Sequence, residues 1–416
     1  MDVVVVCSLM ALTVASASGA ISAPWAPRGD VASRTMSQSA ALLSTWQLRS
    51  DVLRPTHFLA VAISNGATGS SNPPTTSPSP AAPTTPPSPA APTTPFSPAA
   101  PTTTTTTTIP NAPTNTPFLQ GAYMGSAYPT GVQSFAAATS SDVTVASDYL
   151  PASDGWAGMD GTTGSLNWLL DAWQNSGYIL SLGVPMIPTD ASGVPQGSLA
   201  VGATGAYNGY FTTLASSMVA AGEGNAYLRL GWEFDGDWYA WQAQTATDEA
   251  NYASYFRQIV TAMRSVPGAA FNFVWNPDAS AFVSTSYSVT AAYPGNAYVD
   301  VIGLDAYDRS WASPATPQNA WTSTYLPELT AAESFAQSED KPIALCEWGA
   351  QFGSGGLGDD PYYINNMIDW MSISSNDVAY ESYYNGVTST AGGSSDNDLD
   401  GGSFPDSLSA FIADLG

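Results

Sequence analysis

Two glutamates stand out because each closes a short apolar run beside a tryptophan. One lies in Arg229-Leu230-Gly231-Trp232-Glu233, followed by FDGDWYAW; the other lies in Leu345-Cys346-Glu347-Trp348-Gly349. A pair of carboxyls about 5–5.5 Å apart can cleave a glycosidic bond with retention of configuration. One attacks the anomeric carbon and the other protonates the departing oxygen. The competing reading is that each Glu pairs with Arg229 or solvates a loop. Two glutamates ending separate strands, both next to tryptophan, argue against it.

Other chemistries are excluded by what the chain lacks. Its single histidine, His57, is far upstream of these motifs, so a Ser-His-Asp triad, a Cys-His dyad or a histidine zinc site cannot be assembled around them. Of the two cysteines, Cys7 sits in an apolar leader, which leaves Cys346 as a lone thiol. The 416 residues carry a net charge of -25. The acidity is concentrated after residue 117, where five basic residues face 31 acidic ones. Such a surface repels nucleic acid, anionic lipid and anionic polysaccharide. The expected partner is a neutral polysaccharide; no nucleic-acid or membrane partner is expected beyond export, and the chain is expected to be a monomer.

The glutamates need a scaffold, and the sequence after residue 117 supplies one. Short apolar, β-prone runs recur at 119–124, 143–150, 178–187, 226–232, 271–276, 298–306, 342–348 and 378–384, with helical patterns between them. Residues 248–266 have apolar residues at three and four spacing, with Asp248 as the expected N-cap and Pro267-Gly268 as the stop. Eight strands with interleaved helices in about 300 residues predict an α/β fold, a (β/α)8 TIM barrel over 118–416, whose active site lies at the C-terminal strand ends. Upstream, 1–20 reads as a signal peptide ending near Ala15-Ser16-Ala17, and 21–71 is unassigned. Residues 72–117 repeat SPAAPTTP and form a Pro/Thr-rich disordered linker. Leader and linker together predict an extracellular, secreted protein.

Several separate blocks also resemble one family. LRLGWEFDGDWYAW, VWNPD, YPGNAYVDVIGLDAYD and KPIALCEWGA, in that order, are similar to glycoside hydrolase family 26, the β-mannanase-like members of a retaining (β/α)8 barrel clan. The resemblance spans roughly 118–416. It implies that Glu233 is the acid/base and Glu347 the nucleophile, that Tyr307 hydrogen-bonds the nucleophile, and that Asp305 is the acidic residue two before it. It further implies that Trp238 and Trp241 contact sugar rings. Many members have histidine immediately before the acid/base, where this chain has Trp232; an indole can stack or donate a single hydrogen bond. β-1,4-Mannan is the family's commonest substrate, with β-glucan and β-xylan as alternatives, and a catalytically weak carbohydrate-binding protein is the reading from a different class.

The remaining expectations concern individual residues. Arg229 and Tyr307 are expected to keep Glu347 ionised, while the neighbouring carboxylate keeps Glu233 protonated. Trp168, Trp173 and Trp370 lie in helical patterns and are expected in the core. Trp238, Trp241 and Trp311 fall in loops and are expected on a ligand; Trp275 and Trp348, at strand ends, are expected as either groove floor or core, and Trp232 is a candidate substrate-binding residue. No cofactor is expected. DNDLDG at 396–401 follows the start of a calcium loop, but its twelfth position is Ser407 rather than Glu. A solvated turn is expected, with structural calcium at Asp396, Asp398 and Asp400 as the alternative.

Overall fold

A computed structural model describes residues 116–416 except 310–311, 354 and 391–392. The leader at 1–20, the segment at 21–71, the linker except its last two positions, and Trp311 lie outside the described residues.

Eight parallel strands close into a barrel in sequence order. They are β1 (Gln120–Tyr123), β2 (Val143–Tyr149), β3 (Ile179–Val184), β4 (Tyr227–Leu230), β5 (Asn272–Trp275), β6 (Val301–Tyr307), β7 (Ile343–Gly349) and β8 (Val378–Tyr384). Each falls within or against one of the eight apolar runs. Main helices follow seven of them: α1 (Pro129–Thr139), α2 (Ser165–Trp173), α3 (Asn208–Ala220), α4 (Ala246–Arg264), α5 (Leu326–Glu339), α6 (Pro361–Ser372) and α7 (Pro405–Leu415). The architecture is a (β/α)8 barrel.

The expectation of a helix after every strand fails once. Between β5 and β6 the chain makes only two 3-10 turns, Ala279–Val283 and Val289–Ala292. This stretch is rich in Ser, Thr and Val and is bounded by Pro277 and Pro294, a composition that favours turns over a continued helix. A smaller correction concerns α4. Its cap is Thr245, whose hydroxyl accepts from the Asp248 amide, so Asp248 lies in the first turn rather than at the cap. The T-x-x-D spacing is a variant of the capping box.

Two apolar layers hold the barrel. Leu119, Val145, Tyr227, Val274, Val301, Ala344, Cys346 and Tyr380 form one buried cluster inside it. A much larger cluster joins the outer strand faces to the helices. Space inside is tight: a Cβ on Gly303 would stand 2.7 Å from both Cys346 Sγ and Val274 Cγ1. Because strand side chains alternate in direction, the interior of β4 and β6 passes from apolar at the bottom to charged at the top, from Tyr227 to Arg229 and from Val301 to Asp305.

Candidate functional site at the barrel mouth

Arg229 is fully buried and serves as the hub of the mouth. Its Nε donates to Asn276 Oδ1 at 2.6 Å and its Nη1 to the Tyr149 hydroxyl at 3.1 Å. Its Nη2 pairs with Asp305 Oδ2 at 3.0 Å and also with Glu347 Oε1. Asn276 donates in turn to Asp305 Oδ1 at 3.1 Å. The Tyr307 hydroxyl donates to Glu347 Oε2 at 2.6 Å.

Two backbone irregularities bring the glutamates together. Between β6 and β7 the register slips, so that Leu304 faces Leu345 but Asp305 faces Glu347. The bulge lets Cys346 stay in the interior cluster while the very next residue reaches Arg229. After β4, Gly231 and Glu233 both take left-handed backbone conformations, with φ of 56° and 48°. A side chain at Gly231 would be strained and would also meet Met186 Sδ at 2.5 Å. Glu233 has no such licence as a non-glycine residue, and such positions concentrate at functional sites. Its amide is held by the Asn276 carbonyl at 2.8 Å. As a result, one carboxylate oxygen from each of Glu233, Asp305 and Glu347 lies within 4.8 Å of the others.

Their surroundings drive the two glutamates to opposite protonation states. Burial raises Glu233, and the charges of Glu347, Asp278 and Asp235 raise it further, to about 8. Burial would raise Glu347 too, but the Arg229 charge and hydrogen bonds from Arg229, Tyr307 and Tyr149 outweigh it and hold that carboxyl below its ordinary value. Burial and then the Glu347 charge push Asp305 up against the pull of Arg229. Near neutral pH the mouth therefore presents one carboxylic acid facing one carboxylate.

A cavity of about 370 Å³ opens beside this pair, lined by Asp235, Trp238, Asp278, Asp305, Tyr307 and Arg309 among others. Its size suits a small saccharide unit. Trp238 is 56% exposed, and its Nε1 donates to Glu233 Oε2 at 3.0 Å. Arg309 Nη2 pairs with Asp278 Oδ2 at 3.0 Å.

Several expected contacts are corrected. Trp241 is 1% exposed; its Nε1 donates to the Trp232 carbonyl at 2.8 Å, so it braces the loop and presents no face to a ligand. Trp275 and Trp348 are wholly buried on the outer side of the barrel. Trp275 packs among Phe234, Tyr293 and Phe335, and Trp348 among Tyr383 and Phe411, with its Nε1 on Glu381. Strand alternation, shifted by the bulge in β7, turns them away from the mouth. Trp232 is also buried, with its Nε1 committed to the Tyr239 hydroxyl at 3.0 Å. Trp173 and Trp370 are core residues as expected, but Trp168 is 54% exposed on α2. Asn276, Tyr149 and Tyr239 were not singled out from the sequence. Asn276 and Tyr149 could have been found as polar residues at strand ends in phase with interior Val274 and Val145.

Residues 225–334 match the model of Glycosyl hydrolase family 26. That match spans β4 to the middle of the helix after β6 and includes Glu233, Asp305 and Tyr307. Among curated proteins, the chain is 28% identical over 154 residues to a mannan endo-1,4-beta-mannosidase of Bifidobacterium adolescentis, covering 36% of this chain and 15% of that protein. It is 29% identical over 178 residues to Endoglucanase H of Acetivibrio thermocellus, covering 42% and 18%. The chain thus spans less than a fifth of either relative. Among solved structures, GH26C from a Muricauda species superposes with a TM-score of 0.53 at 17% identity, covering 72% of this chain and 86% of that one. An endo-beta-1,4-mannanase double mutant of Cellulomonas fimi gives 0.52 at 17% identity, covering 72% and 70%. At these identities the structural likeness speaks for the barrel fold alone.

The loop at 396–401, expected as a solvated turn with structural calcium as the alternative, carries hydrogen bonds within itself and from Asn385. Asn385 Nδ2 donates to Asp398 Oδ1 at 3.2 Å and to Asp400 Oδ1 at 2.8 Å, while Asp396 Oδ1 accepts from the Asp398 amide.

The buried ion cluster yields a stability prediction. Replacing Arg229 by Met leaves Asp305 and Glu347 without their cation and should cost about 3–5 kcal/mol. Urea denaturation measures it. Unpaired carboxyls take up protons as pH falls, so the loss should be largest at pH 7 and shrink toward pH 4; a pH-independent loss would contradict the charge account.

Proposed function

We propose that this chain is a secreted, retaining endo-β-glycosidase acting on a neutral β-linked polysaccharide, with β-1,4-mannan as the first substrate to test. The observation that carries the reading is the carboxylic acid facing a carboxylate within 4.8 Å at the mouth of the barrel, a spacing suited to double displacement. The family-model match over 225–334 and the mannosidase names of two curated relatives support mannan. The relative named Endoglucanase H supports a second reading, the same chemistry on a β-glucan.

In this mechanism Glu347 Oε attacks the anomeric carbon as the bond to the leaving oxygen breaks. Glu233 passes its proton to that oxygen, and the leaving chain departs as an alcohol. The sugar is then an ester of Glu347. Esterification removes the Glu347 charge, so the like-charge contribution to the Glu233 pKa disappears and Glu233 becomes the base that deprotonates water. Water attacks the anomeric carbon, the ester bond breaks, and Glu347 is restored as carboxylate. Tyr307 and Arg229 hold Glu347 throughout, and Asp305 with Asn276 fixes Arg229. Trp238, exposed and bonded to Glu233, offers a face to the sugar next to the scissile bond. The reaction as proposed uses no metal, since Arg229 supplies the positive charge among the three carboxyls. The hydrogen bonds from Asn385 to Asp398 and Asp400 support a solvated turn there over an ion site.

Four measurements test this reading. Glu347→Ala should reduce hydrolysis to background on mannan, glucomannan, mixed-linkage glucan and xylan. Glu233→Ala should lose roughly 10²–10⁴-fold on polysaccharide but far less on an aryl glycoside, whose leaving group needs no proton. Retained activity in Glu347→Ala sinks the mechanism, and wild-type binding without hydrolysis on the whole panel favours a carbohydrate-binding protein. In the pH profile, kcat/KM should fall above about pH 8 as Glu233 loses its proton and fall again in the acid range as Glu347 gains one; an optimum above pH 8 is incompatible with it. Finally, millimolar calcium should leave the melting temperature unchanged, and a clear upward shift would return the Asp396–Asp400 loop to the list of ion sites.

A further inference from the structure

Beyond the two glutamates, we propose that Tyr239 is a substrate-contacting, specificity-determining residue. Its hydroxyl donates a hydrogen bond to a hydroxyl group of the sugar held between Glu233 and Glu347, and Trp232 is the positioning residue that aims it. The inference rests on the glycosidase reading of that gap.

The argument begins with where each phenolic proton goes. Tyr307 spends its proton on Glu347 Oε2 at 2.6 Å. Tyr149 receives Arg229 Nη1 at 3.1 Å and hydrogen-bonds Glu347. Tyr239 differs. Its oxygen accepts from Trp232 Nε1 at 3.0 Å, and among the described residues no acceptor takes its own proton. A phenol that accepts on one side and has a free proton on the other is a directed donor. It is also a permanent one. Burial, then the charges of Glu233 and Glu347, hold its pKa well above the ordinary phenol value, which places the ring in the field of both carboxyls and keeps it neutral at any working pH.

The ring is locked in place. It stacks on Trp241 with centroids 4.4 Å apart and planes at 12°, and it meets Trp232 edge-on at 5.0 Å. Trp241 is tied back to the Trp232 carbonyl at 2.8 Å, and Trp232 packs against Tyr149 at 5.3 Å. Trp232 cannot serve the ligand itself, because it is only 4% exposed and its one donor is committed to Tyr239. The residue directly before Glu233 therefore acts at one remove, and Tyr239 presents the polar group. A fixed donor beside a reacting sugar discriminates strongly between substrates with and without the matching hydroxyl.

The experiment uses the intact chain and its best polysaccharide, together with a set of monodeoxy oligosaccharides. Tyr239→Phe keeps the stack and removes the hydroxyl. It should lower kcat/KM roughly 10–100-fold while both limbs of the pH profile stay in place. On the analogue lacking the contacted hydroxyl, wild type and Tyr239→Phe should become equal. Trp232→Phe should give a smaller loss that vanishes when Tyr239 is already Phe. Activity within twofold of wild type for Tyr239→Phe on every substrate, or an equal loss on all deoxy analogues, overturns the proposal; the second result would mean the ring only supports the loop. Glu347→Ala run alongside separates the two levels, because its full activity would remove the glycosidase reading instead.

Discussion

The mouth of this barrel is organised by one guanidinium. Arg229 contacts Asn276, Tyr149, Asp305 and Glu347 from a position with no solvent access. A buried charge is tolerated only when paired and hydrogen-bonded, and this requirement ties β2, β4, β5, β6 and β7 together at their upper ends. The same cation sets the chemistry. It lies against two of the three neighbouring carboxyls, Asp305 and Glu347, and its charge, its hydrogen bond and those of Tyr307 and Tyr149 together hold Glu347 ionised. Glu233 is left with burial and repulsion, and it keeps its proton.

That division explains why the site tolerates an acidic domain. Asp235 and Asp278 contribute to raising Glu233, so the excess of negative charge in the barrel unit works with the proton inventory of the mouth. The aromatic residues are divided in a comparable way. Trp238 faces outward, whereas Trp241, Trp275 and Trp348 are structural.

Much of this was legible in the sequence because it depends on local pattern. Eight apolar runs gave eight strands, and Glu233 and Glu347 were visible as polar residues ending two of them. What escaped depends on where the backbone departs from regular geometry. The slip beside Cys346 changes which residues of β7 face inward, and no periodicity marks it, since all seven residues of the strand are buried. That slip left Trp348 open between groove floor and core, whereas Trp275, on the regular β5, could have been assigned to the core from its alternation with interior Val274 and Asn276. Trp241 was misjudged because a loop position was equated with exposure. Tyr239 went unnoticed because its importance depends on where Trp232 sends its N–H.

The left-handed conformation of Glu233 has an evolutionary corollary. A side chain with a Cβ is held there at a cost of order 1–3 kcal/mol, and Gly or Asn would occupy the same backbone with less strain. Folding and chemistry thus pull this codon in opposite directions. A lineage released from selection for turnover would find its first inactivating changes at position 233 neutral or favourable for thermal endurance. Inactive descendants of this barrel should therefore be sturdier than the ancestor that worked.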